Sequence, residues 1–295
     1  MFPAATVLLL RETAGELEVL MMRRDSALSF MAGMWVFPGG RLDPADGSAA
    51  IRGRISGGVD SDSDQLFTRD GLALDPSVTL ALQVAACRET FEEAGVLLAR
   101  NAAGQPCEPG LVAGLQSRRA GIASDASAFA ALLESEDLFL DLAPLVYWSH
   151  WITPSVEPKR FDTRFFAMAV PEHQSASADR GELTHHEWVR PARAQEAIAS
   201  GRIRVVPPTL LTLEDLAESH ARHGGLEPML AAERGRPAPP VMPRIVKHGE
   251  EIHVLMPWDP DYAEAAGEGC STGEFPPHLL RQRSRVVVTL ARETR

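Results

Sequence analysis

The sequence predicts an α/β fold, and three observations carry that prediction. Near the N-terminus, AATVLLL (4–10) and LEVLMM (17–22) are apolar runs parted by the polar RETAGE, the pattern of a β-hairpin with Gly15 in its turn. Residues 76–94 form one long amphipathic helix bounded by a proline and a glycine. Further on, LAPLVYWSHWITP (142–154), RFDTRFFAMAV (160–170) and ELTHHEWVRP (182–191) have the composition of strands and lead into a helical PARAQEAIASG.

At 295 residues and 45% hydrophobic, the chain can bury a full core. Its net charge of −11 argues against a nucleic-acid polymer or an anionic membrane as the main partner, because both demand clustered Lys and Arg. The N-terminal apolar run, about nine residues, is too short to span a bilayer. Cys87, Cys107 and Cys270 are odd in number and lack a CxxC spacing, so neither a disulfide framework nor a zinc site is suggested and a reducing compartment is expected.

The elements follow in order. After the hairpin, MAGMWVFPGGRLDPADG is an apolar Gly/Pro loop. From Gly47 to Asp70 the composition shifts to Gly, Ser and Asp, which predicts a surface insertion. Asp75-Pro76 supplies an N-cap and a first-turn proline, and Gly95 closes the helix after Ala94. At roughly 100° per residue, Leu80, Val84, Cys87, Phe91 and Ala94 fall within about 40° of one line, and Glu89, Glu92 and Glu93 fall on the opposite side.

A Glu-rich face turned to water is the ordinary explanation of such a pattern. Electrostatics opposes it. Glu89 and Glu93 are a like-charge i,i+4 pair costing roughly 0.2–0.5 kcal/mol, and Glu92 and Glu93 sit where the helix dipole disfavours anions by about 0.3–1 kcal/mol each. Arg88 reaches Glu92 at i,i+4 but cannot neutralise three carboxylates. A divalent cation can, and the same ion would let an acidic protein hold a polyphosphate.

FPGGRLDPAD followed by RETFEEAGV resembles the signature of the Nudix hydrolases. Two departures are visible: Asp46 stands where Glu is usual, and Arg88 follows it by 42 positions, which makes 47–79 an insert within the signature. The resemblance implies an α/β/α sandwich with a mixed sheet, and hydrolysis of a small-molecule diphosphate assisted by Mg²⁺ or Mn²⁺. It assigns Glu92 and Glu93 to the metal, Glu89 to the metal or the attacking water, and Arg88 to holding the carboxylates in register. Gly39 and Gly40 would let the backbone approach metal and phosphate closely. For a general base, Glu89, Glu182 and Glu187 are candidates, the last two being equally readable as solvated strand ends.

Upstream, Arg24, Leu28, Gly33 and Phe37 to Gly40 match in part the segment that coenzyme A diphosphatases place before this signature, although Asp25 and Ser29 stand where Ser and Arg are expected. With HWITPSVEPKRFDTRFF and the long insert, the chain is similar to the peroxisomal branch of those enzymes and its bacterial relatives. Coenzyme A or an acyl derivative is therefore the expected substrate, with Arg23 or Arg24 facing its 3′-phosphate. ADP-ribose or a dinucleotide is the alternative, and a catalytically dead ligand-binding module is the alternative of another class. The sequence ends ARETR without a Ser-Lys-Leu address, so a cytoplasmic location is expected.

Other features have ordinary readings. Met21, Met22, Met31 and Met34 are expected as core filler. Trp148 and Trp151 are expected as strand packing. His185 and His186, adjacent in a strand, face opposite sides and cannot share one ion. With the Nudix-type domain assigned to 1–206, residues 207–295 are an extension: one or two helices, a Pro-rich linker, a hairpin turning at Gly249 and a last strand in RQRSRVVVTL. It is expected to pack on the core or to form a partner surface, and the sequence is compatible with a homodimer.

Overall fold

β1 (Phe2–Thr13) and β2 (Glu16–Arg24) form the N-terminal hairpin, turning through Ala14 and Gly15, both at positive φ. This computed structural model describes residues 1–27, 31–56, 68, 73–178, 183–270 and 275–289. Leu28 and Ser29 of the partial upstream match, and Glu182, lie outside the described residues.

After β2 come two short strands, β3 (Trp35–Val36) on β2 and β4 (Gly39–Arg41) on β1. A 3₁₀ turn at Pro44–Gly47, capped by Asp43, leads into α1 (Ala49–Arg52), which Ser48 caps, and β5 (Ile55–Ser56). α2 (Pro76–Ala94) begins with Asp75 accepting from the Ser77 N–H and ends on Gly95 at φ 70°, as its sequence predicts. β6 (Ala99–Asn101), α3 (Pro109–Leu115), α4 (Arg119–Ser124), α5 (Ser127–Ser135) and β7 (Leu138–Asp141) follow. β8 (Val146–Ile152), β9 (Phe161–Ala169) and β10 (Leu183–Val189) coincide with the three strand-like stretches.

Next come α6 (Ala194–Ala199), α7 (Pro207–His223), α8 (Leu226–Glu233) and β11 (Pro240–Val241). β12 (Arg244–His248) and β13 (Glu251–Leu255) make the hairpin at Gly249; α9 (Pro277–Leu280) and β14 (Arg285–Thr289) close the described chain.

Among the described residues the main sheet has eight strands in the order β10-β2-β1-β9-β8-β11, with β3 and β4 beside the hairpin; β1 and β9 run parallel and their neighbours mostly antiparallel. Two cores follow from strand alternation. Ala5, Val7 and Leu9 of β1 join Val84, Cys87, Phe91 and Ala94 of α2 on one face. Leu8 and Leu10 join Leu211, Leu213 and Leu216 of α7 and Met229 of α8 on the other. A mixed sheet between helical layers is the sandwich expected. Residues of the extension thus share a core with the hairpin. A small sheet, β12-β13-β14, contributes Val254 and Val286 to that same core.

The insert departs from a plain surface excursion at its start. Ile51 is 2% exposed within the α2-side core, and Ile55 and Ser56 pair in register with Leu140 and Asp141 of β7. Residues 57–67 and 69–72 lie outside the described set. Met21, Met22, Trp148 and Trp151 are buried, in the roles their ordinary readings give them, whereas Met31 and Met34 are only partly buried and lie outside the core. Among the described residues no helix is long and apolar enough to cross a membrane.

Candidate active site

The two halves of the interrupted motif meet. β4 pairs with β1 through Gly40↔Ala5 and Gly39↔Thr6, which lays the glycines beside α2. A Cβ on Gly40 would stand 2.4–2.5 Å from the carboxyl atoms of Glu89, so only a glycine allows this approach. Gly39, at φ 155°, donates its N–H to Glu93 Oε2 at 2.7 Å.

Arg88 lies at the centre. It donates from Nε and Nη2 to Asp46 at 2.7 and 3.0 Å, from Nη1 to Glu89 and Glu92 at 2.8 Å each, and from Nη2 to the Arg41 carbonyl at 3.0 Å. Asp46 also accepts the Asp43 N–H at 2.9 Å, completing a capping box across the 3₁₀ turn. The aspartate that departs from the family pattern therefore does two jobs: it anchors the loop and it clamps the arginine that organises the helix carboxylates.

The Glu-rich side of α2 is not a water-facing surface. Arg88 and Glu92 are 4% and 8% exposed, because the 39–47 segment covers them. Burial is the main cause pushing Glu89 up to about 7, with Arg88 opposing and the Glu92 charge adding to it. Glu92 is raised for the same leading reason, against its hydrogen bond to Arg88. At the helix end, Arg119 donates to the carbonyls of Glu92 (2.8 Å) and Glu93 (2.7 Å), placing a cation where the dipole calls for one. No spacing in the sequence signals Arg119.

Carboxylates held at a buried helix face with raised proton affinity are hard oxygen donors short of positive charge, and this donor chemistry fits Mg²⁺ or Mn²⁺. Among the described residues no three acidic, His or Cys side chains are gathered into a ready-made cage. As placed, Arg88 takes Glu89 and Glu92, and the Gly39 N–H takes Glu93.

Other candidates stand elsewhere. Arg23 lies in register with Trp35 and His185, and Arg24 with Leu183, at the end of β2. Glu187 sits on the edge strand β10 and is ion-paired to Arg202.

Comparison with known proteins agrees with this geometry. The family described as NUDT19 Nudix domain matches residues 3–216. "Acyl-coenzyme A diphosphatase NUDT19" of Homo sapiens is 33% identical over 225 residues, covering 68% of this chain and 60% of that protein. The protein of the same name from Xenopus laevis is 26% identical, covering 70% and 61%. The chain thus spans about 60% of the length of these relatives. Among solved structures, a NUDIX hydrolase from Alicyclobacillus acidocaldarius superposes with a TM-score of 0.63 at 29% identity, covering 80% of this chain and 98% of that one. With the interrupted motif closed in space and the family matched over most of the chain, this protein belongs to the NUDT19 Nudix domain family.

Proposed function

We propose that the chain is a metal-assisted pyrophosphohydrolase that adds water across the diphosphate of coenzyme A or acyl-coenzyme A, releasing 3′,5′-ADP and the 4′-phosphopantetheine half. The observation that carries the hydrolase reading is the closure of the Gly39–Gly40 backbone on Glu89 and Glu93. The names of the relatives support the substrate.

In this reading Glu92 and Glu93 hold a Mg²⁺ or Mn²⁺ ion with Glu89. Bound there, the ion would act as Lewis acid on a phosphoryl oxygen and neutralise charge on the departing phosphate. Gly40, lacking a side chain, leaves room for a phosphate against its backbone. Glu89, fixed by Arg88, holds or orients the attacking water. Arg88, tied to Asp46, keeps the carboxylates at a common height on the helix. The small-molecule substrate, the choice of ion, a cytoplasmic location and a homodimer belong to the same proposal.

The test is product analysis after incubation with Mg²⁺ or Mn²⁺ and a panel of diphosphates. Coenzyme A split to 3′,5′-ADP and 4′-phosphopantetheine ahead of the panel is the expected outcome. AMP released from ADP-ribose with coenzyme A untouched would overturn the substrate assignment.

A further inference from the structure

Beside Gly39 and Gly40, on the side of the sheet away from Glu89, an exposed ring and a half-buried one carry two cations. The Arg41 guanidinium lies 3.8 Å from the ring centre of Phe2, and Lys159 Nζ lies 5.4 Å from that of Phe161. The rings are 6.1 Å apart, brought together by the parallel pairing Phe2↔Phe161 at the start of β1 and β9. Phe2 is 38% exposed, one of few large apolar side chains left open among the described residues.

We propose that Arg41 and Phe2 form the subsite for the adenosine 3′,5′-bisphosphate end of the substrate, with Arg41 binding the 3′-phosphate and Phe2 offering a face to the adenine. The assignment rests on the coenzyme A reading above.

Position is the first argument. Arg41 follows Gly40 directly, and its own carbonyl accepts from Arg88, so the residue that touches the carboxylate clamp through its backbone turns its side chain to the other face of the sheet, onto Phe2. Successive residues of a strand point to opposite faces: Gly40 meets Glu89, and Arg41 meets Phe2. Arg41 is thus one residue from the Gly39–Gly40 backbone on which the diphosphate of the proposed substrate would lie, within one ribose ring's reach of a 3′-phosphate.

Charge is the second. In a chain of net charge −11, Arg88, Arg164, Arg236 and Arg285 are each matched by carboxylates, whereas among the described residues Arg41 faces an aromatic ring and no carboxylate. The nearest acids in sequence and register are engaged: Asp43 accepts from the Ala45 N–H, and Asp162 holds His150 and Arg164. A guanidinium stacked on a ring keeps its N–H fork open for a phosphate and is already ordered. An exposed ring next to it suits a base, which needs a flat apolar face more than a specific hydrogen bond. Arg23 and Arg24, at the end of β2, carry the rival assignment.

The experiment is calorimetric titration of the full chain in EDTA with 3′,5′-ADP and with 5′-AMP, which differ only in the 3′-phosphate. The unmodified protein is expected to bind 3′,5′-ADP at least about tenfold more tightly, the range of a charge-assisted phosphate contact. Arg41→Gln should bring the two ligands within about twofold, Arg41→Lys should keep part of the preference, and Phe2→Ala should weaken both ligands alike. Equal binding by the unmodified protein, or a preference that survives Arg41→Gln and vanishes in Arg23→Gln or Arg24→Gln, would overturn the subsite. Because no turnover is read, a protein that discriminates through Arg41 yet leaves coenzyme A intact sinks the hydrolase reading alone. One that cleaves coenzyme A with the preference unmoved by Arg41→Gln sinks the subsite alone.

Discussion

Arg88 and Asp46 meet in a two-pronged ion pair at 2.7 and 3.0 Å, both side chains buried, although 42 positions separate them in the chain. This contact closes the interrupted motif. The long insert leaves from one side of it and returns through Asp75-Pro76, so the spacing in sequence changes while the spacing in space is kept. Breaking a buried pair from one side leaves an uncompensated charge, which typically costs about 3–5 kcal/mol. Asp46→Ala should lower the urea midpoint accordingly and reduce turnover in the protein that remains folded. Asp46→Glu, restoring the carboxylate usual in the family, should recover most of both, and equal midpoints for all three proteins would refute the clamp.

Glu93 separates catalysis from folding. It is half-buried and accepts from the Gly39 N–H, a bond that a glutamine carbonyl can still accept. Glu93→Gln should therefore unfold close to the parent midpoint while turnover falls on the order of 10²-fold, if electrostatic stabilisation of the reacting phosphate is the lost function. Mn²⁺ binding followed by electron paramagnetic resonance should weaken in parallel. Parent-rate hydrolysis by the Glu92→Gln, Glu93→Gln double variant would end the metal assignment.

The two glycines should fail differently. A methyl group on Gly39 would stand 2.4 Å from the Ala5 carbonyl oxygen and 2.7 Å from the Thr6 Cα, backbone atoms that cannot step aside, so Gly39→Ala should lose stability. On Gly40 the clash is with the end of the Glu89 side chain, which can rotate away. Gly40→Ala is expected to keep its fold and lose activity on the order of 10²-fold through a misplaced carboxylate. Thermal midpoints and kcat measured side by side check the contrast.

As pH falls from about 6.5 toward 4, two histidines should weaken the fold, while Glu89, pushed up to about 7 by burial, acts in the opposite sense over the same range. His150 is fully buried, bonded through Nε2 to Asp162 at 2.5 Å; burial lowers it to about 4, with Asp162 opposing and the nearby Arg164 charge assisting. A histidine whose folded value lies below the unfolded 6.5 takes up a proton first in the unfolded chain. Its contribution is therefore intact above about 6.5 and is lost as pH falls toward about 4, on the order of 3 kcal/mol in all. His278, lowered to about 4 mainly by burial, acts in the same window, whereas Asp162, held below its usual range, adds losses only at still lower pH. Chemical denaturation at a series of pH values reads the sum of these contributions, and between about pH 6.5 and 4 His150→Gln should lose less stability on acidification than the parent. An equal loss in that variant would contradict the assignment.

How far these relationships could be read from the chain depended on their range. The hairpin turn, the Asp75-Pro76 start and the Gly95 stop of α2 are written in neighbouring residues, and each formed where the sequence placed it. The apolar stripe of α2 was legible for the same reason. The angular argument that set Glu89, Glu92 and Glu93 opposite that stripe was right about direction, but a helix does not record what lies over its other face. Here the Asp43–Asp46 turn buries Arg88 and Glu92, and Arg119 from a separate helix caps the α2 carbonyls. The polar composition after Gly47 likewise hid Ile51, whose burial depends on a distant core.

The extension should prove inseparable from the catalytic sheet. Arg236 donates to Asp215 of α7 at 2.6 Å, to Glu233 of α8 at 3.1 Å and to the Trp148 carbonyl of β8 at 2.7 Å, and its guanidinium lies 4.0 Å from the Trp148 ring centre. One side chain thus ties two helices of the extension to a central strand, with Asp215 and Glu233 only 5% and 7% exposed. Removing the arginine would leave two buried carboxylates without the guanidinium they share, and Arg236→Ala should cost about 3–5 kcal/mol. Shortening the chain to 1–206 would go further, stripping Leu211, Leu213, Leu216 and Met229 from the core they share with Leu8, Leu10 and Val19. That fragment is expected to be insoluble or to bind a hydrophobic dye with no cooperative melt. A fragment that melts cooperatively and keeps the turnover of the full chain would show instead that the extension is an accessory to an autonomous domain.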